Sequence, residues 1–189
     1  MTKNFLIKQL TNIENAKRIN RERVAYLVLE NAELMPYLVE IMFASDSKIS
    51  IKAAWVLEIV CEKNLFFIAP HLDYFIENIG NLKHDSAVRP ASKICNFIAI
   101  AYNSKKDDFF KTILKKNQID KIIETGFDWM ISNHKVATKA YSMNALFLFG
   151  KNYDWVHQEL KLILQQNISK ESAAYKARGK MTLELINKQ

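Results

Sequence analysis

Between Ile119 and Ile131 the apolar side chains fall at Ile119, Ile122, Ile123, Phe127, Met130 and Ile131. Steps of three and four residues gather into one continuous stripe only on an α-helix. A second stripe starts at Trp155 and runs through Val156, Leu160, Ile163 and Leu164, with Asp154 in front as the expected N-cap. The segments 51–61, 94–102 and 141–149 are apolar over more of their circumference, the pattern of helices covered by neighbours on two sides. Punctuation agrees with helices. Four glycines and three prolines in 189 residues are too few for hairpin turns or phosphate-cradling loops and fit helices joined by short polar connections. Hydrophobic residues make up 49% of the chain, enough to bury a core without a partner, so disorder is excluded on composition. The expected fold class is all-α, in a single domain spanning residues 1–189.

A weak internal repeat runs through these helices. Leu34-Met35-Pro36-Tyr37-Leu38 corresponds to Ile68-Ala69-Pro70-His71-Leu72 at an offset of 34, each proline placed near the first turn of a helix, where its missing N–H costs nothing. Asp46 and Ser47 ahead of Lys52, and Asp85 and Ser86 ahead of Arg89, each offer an N-cap to the next helix. A cation followed within two or three residues by a small residue recurs as Arg23 with Ala25, Lys52 with Ala54, Arg89 with Ala91, Lys139 with Ser142, and Lys176 with Gly179. The intervals between the cations are 29, 37, 50 and 37, and the long one predicts an extra helical segment at 109–116.

This arrangement of cation and small residue resembles the second helix of HEAT and armadillo-type hairpins. The resemblance covers about residues 18–187 and implies an α-α superhelix, a solenoid of about four to five hairpins if each takes roughly 35 to 45 residues. It further implies a concave face lined by the second helices, on which Lys52, Trp55, Arg89, Lys93, Asn96, Lys139, Lys176 and Lys180 form the candidate binding ridge. The plainer account of the same cations is that they bond to carboxylates or carbonyls of adjacent layers. Trp55 reads in the same way as an interlayer indole, flanked by solvated Glu58 and Glu62.

Charge is uneven. The chain carries a net +7, and residues 132–189 alone hold nine cations against four acids. Nucleic acid is therefore the alternative partner, with Arg89, Lys93, Lys139, Lys176 and Lys180 on phosphates. The pairs Asp128-Trp129 and Asp154-Trp155 extend that alternative by resemblance to HEAT-like DNA-repair glycosylases, whereas helix-capping acids beside packing indoles explain both pairs without catalysis.

Other chemistry lacks its motifs. His71, His84, His134 and His157 are scattered, and Cys61 and Cys95 lie in apolar segments far apart, so no metal site, disulfide or cofactor is expected. No Walker lysine, nucleophile elbow or glycine-rich loop occurs. The amino-terminal residues lack an apolar stretch of signal-peptide length, and runs such as 97–102 are too short to span a bilayer. The sequence thus predicts a non-enzymatic, cytoplasmic scaffold that binds a protein or peptide partner away from membranes.

Overall fold

The computed structural model describes residues 1–44 and 47–188; these contain eleven α-helices and no strand. In order they are α1 (Lys3–Thr11), α2 (Arg18–Glu30), α3 (Met35–Ala44), α4 (Lys48–Lys63), α5 (Leu72–Asn78), α6 (Asp85–Tyr102), α7 (Phe109–Ile113), α8 (Lys116–Ile131), α9 (Val136–Gly150), α10 (Asp154–Asn167) and α11 (Ala173–Asn187). The helices group into two compact units, Met1–Ile94 and Cys95–Gln189, whose boundary falls within α6.

In the first unit α4 is the central element, packed by α1, α2 and α3. Its side chains Ala53, Ala54, Val56, Leu57, Ile59, Val60 and Cys61 are all buried, which accounts for the apolar character of segment 51–61 around most of the helix. Ser47 opens α4 through a capping box: the Ser50 N–H donates to Ser47 Oγ at 3.3 Å and the Ser47 N–H to Ser50 Oγ at 3.0 Å. Asp46, offered by the sequence as the companion cap, lies outside the described residues. Pro36 is the second residue of α3, as expected. Pro70 instead belongs to the 3-10 turn Leu65–His71 that runs directly into α5.

Pro90 is the sixth residue of α6, where a proline removes the hydrogen bond to the carbonyl four residues back. That carbonyl belongs to Ser86, and the indole N–H of Trp55 donates to it at 2.9 Å. The side chain on α4 thereby replaces the backbone donor that Pro90 lacks.

In the second unit α9 is the hub, packed by α8, α10 and α11. Two glycines set the spacing. A Cβ on Gly126 of α8 would stand 3.3 Å from Leu146 of α9, and one on Gly179 of α11 would stand 3.1 Å from Ile168 just after α10. Expectations at helix ends need correction. Asp85 and Asp154, the N-caps expected from sequence, are each the first residue of their helix, and Tyr153 holds the N-cap position of α10 without a side-chain capping bond. An acid in the first turn still faces the positive end of the helix dipole, which is why the sequence signal is the same. Ile131, assigned to the α8 stripe, is 63% exposed at the helix end, and Trp129 is buried in its place. The extra segment expected at 109–116 is present as α7, with Phe110 buried.

Candidate binding clefts

In the first unit Arg89 and Lys93 of the predicted ridge are engaged with acids. Glu58, only 6% exposed at its side chain, accepts from both terminal nitrogens of Arg89, at 3.2 and 2.6 Å, and from Lys93 Nζ at 3.0 Å. Lys93 also donates to Glu62 at 2.8 Å, and Glu62 accepts from Arg18 at 2.7 Å, which in turn reaches Glu22 at 2.8 Å. Three cations and three carboxylates alternate along one chain. The Trp55–Ser86, Glu58–Arg89 and Glu62–Lys93 contacts step along α4 and α6 in the same direction, so the two helices run parallel. Glu58 is thus not the solvated acid expected from sequence, whereas Glu62 is exposed, as expected, but paired. Their partners lie 31 to 44 residues away, beyond what helical spacing reveals.

This arrangement shifts the titrations. Burial raises the Glu62 pKa, but the hydrogen bonds from Lys93 and Arg18 outweigh it and hold the carboxyl below its ordinary value. Burial likewise works against charge on Lys93, and its bonds to Glu62 and Glu58 prevail, raising its pKa.

Lys52 donates to the carbonyl of Thr11, the last residue of α1, at 2.8 Å, a cation at a helix C-terminus. Beside it opens a cleft of about 230 Å³ lined by Glu14, Asn15, Lys48, Ile51, Lys52, Trp55 and Ser86. Its lining combines a half-buried indole and an isoleucine with two lysines and a glutamate.

In the second unit Lys139 is 7% exposed, donates to Glu171, and lies 5.8 Å from the ring centre of the buried Tyr175. Burial and the adjacent Glu171 charge push the Tyr175 phenol up to about 12. Asn96, 8% exposed, accepts from the Asn144 amide at 2.6 Å, and two turns further on Asn103 accepts from Asn152 at 3.1 Å. A cleft of about 290 Å³ lies here, lined by Asn96, Ala137, Ala140, Tyr141, Asn144 and Arg178. On α11, Lys176 is half-buried and Lys180 exposed. Neither they nor Arg178 make a side-chain hydrogen bond or ion pair with any described residue.

Of the ridge residues, the structure therefore places Lys52 and Trp55 at one cleft and Asn96 at the other, while Arg89, Lys93 and Lys139 hold carboxylates. Sequence reasoning passed over Asn144 and Arg178. The available signal for Asn144 was a lone amide inside an apolar helical run, the same signal that Asn96 gives between Cys95 and Phe97.

The described residues hold no group of three His, Cys, Asp or Glu placed to bind a metal, and no helix long and apolar enough to cross a membrane. Cys61 and Cys95 are buried free thiols, and burial pushes the Cys95 pKa up to about 12.

Parallel helices bridged by side chains from one hairpin to the next define an all-α helical-repeat protein. Residues 6–186 match a family model described as a HEAT repeat domain, and the chain belongs to that family. No curated protein and no solved structure matches it significantly.

Proposed function

We propose that this chain is a non-enzymatic scaffold that binds a protein or peptide partner through the clefts beside Trp55 and Asn96. HEAT repeats generally mediate protein interactions, and membership of that family over residues 6–186 is the observation that carries the reading. The clefts support it. Each is side-chain sized, and the one beside Trp55 pairs apolar with charged lining residues, the composition that lets a peptide side chain lose water without stranding polar groups.

Nucleic-acid recognition draws less support from the cations. Phosphate binding needs lysines and arginines that exchange counterions for phosphates, and Arg89, Lys93 and Lys139 already hold carboxylates. Capture of the tagged full chain from its native cell, followed by mass spectrometry, separates the readings. A stoichiometric protein partner that survives nuclease and is lost with Trp55→Ala supports the scaffold. Recovery of nucleic acid alone, falling steeply with salt, rejects it.

A further inference from the structure

Arg178 stands at a cleft with no acid among its lining residues, whereas Lys48 and Lys52 share the cleft beside Trp55 with Glu14. Buried Lys139 of the second unit has Glu171. Arg178 lines a recess whose other polar walls are the neutral amides of Asn96 and Asn144 and the Tyr141 side chain, and no carboxylate lies within ion-pair distance among the described residues.

The amides add donors. Asn96 uses its oxygen to accept from Asn144, which leaves both N–H groups of the nearly buried Asn96 and one of Asn144 unused by that bond. With the guanidinium fork they make a wall rich in donors and poor in acceptors, complementary to an oxyanion. On the α9 side, the small Ala137 and Ala140 line the recess together with Tyr141 and Asn144. The wider field has the same sign: residues 95–189 hold 15 lysines and arginines against nine acids, +6 of the chain's +7.

One guanidinium flanked by neutral amides matches a single carboxylate, which it can bind in bidentate fashion. A phosphate dianion calls for more than one cation, and a duplex backbone needs a run of cations along an open surface instead of a recess of about 290 Å³. We propose that the cleft formed by Asn96, Asn144 and Arg178 anchors a glutamate or aspartate side chain of an acidic peptide segment, with Arg178 as its ion-pair partner and Lys176 and Lys180 attracting the flanking charge. The assignment rests on the peptide-scaffold reading and names the residue type that the scaffold recognises.

Selection of random 12-residue peptides displayed on phage against the immobilised full chain tests it. Binders are expected to share Asp or Glu at one fixed position, and that preference is expected to vanish when the bait carries Arg178→Met. By fluorescence anisotropy, the best peptide is expected to lose at least tenfold in affinity on replacing its acid by the matching amide. Arg178→Met and Asn144→Leu baits should bind it at least tenfold and about threefold more weakly, with melting temperatures unchanged. Binders without an acidic position, or indifferent to Arg178→Met, overturn the anchor and leave the scaffold standing. A complete absence of binders removes both. Stronger Arg178-dependent binding of a phosphoserine peptide or a single-stranded 12-mer DNA than of the acidic peptide also overturns the carboxylate assignment.

Discussion

Glu58 is held by two cations on α6 while nearly out of contact with water. Its removal leaves Arg89 and Lys93 side by side with no acid between them, the situation in which an ion pair matters most to stability. Glu58→Ala is therefore expected to lower the unfolding free energy by about 3 kcal/mol in urea titrations, against roughly 1 kcal/mol for Glu62→Ala, whose side chain is 28% exposed. The same network sets a pH response. The Glu62 pKa is depressed on folding, so its contribution is fully present above the unfolded value of 4.5 and is lost as pH falls through the lower folded value. The Lys93 pKa is raised, so its contribution is present below 10.5 and is lost as pH rises past the folded value. Denaturation midpoints are expected to hold between these limits and to drop outside them, with the acid limb flattened in Glu62→Gln. Sequence spacing showed Glu58 and Glu62 on one helix face. Their pairing with Arg89 and Lys93 depends on a helix about thirty residues away, which no local pattern encodes.

At the scale of elements, Pro90 and Trp55 form a unit. With Trp55→Phe the Ser86 carbonyl loses its indole donor, and Pro90 cannot supply one. In a Pro90→Ala background the restored backbone N–H takes that carbonyl, so the same tryptophan substitution is expected to cost about 0.5–1 kcal/mol less. A double-mutant cycle in urea reads this coupling, and strict additivity would contradict it. Gly150 ends α9 against His157. A Cβ there would fall within 1.9 Å of the imidazole, which is stacked on Phe147 and hydrogen-bonded to the Phe147 carbonyl at 2.8 Å. Gly150→Ala is expected to displace the ring and lower stability by about 1–2 kcal/mol, visible as a lower melting temperature. Helix existence was legible in the stripes around Ile119 and Leu160. Helix ends were not, because Asp85 and Asp154 in a first turn carry the same electrostatic signal as an acid at the cap.

Across the molecule, the all-α class and the HEAT relationship were legible because scarce glycine and proline, helical stripes and a recurrent cation with a small residue all pointed the same way. The candidate site was legible only in part. The cation register found Lys52, Arg89 and Lys139, but spacing along one helix cannot distinguish a lysine that meets a glutamate of another helix from an arginine that meets none. The net charge followed the same division, with +6 of +7 carried by residues 95–189. Chemical-shift mapping of the full chain with its captured protein partner tests the binding-scaffold account most directly. The account predicts the largest amide shifts around Asn96, Ala140, Asn144 and Arg178 and around Trp55. Shifts confined to surfaces outside both clefts would contradict it.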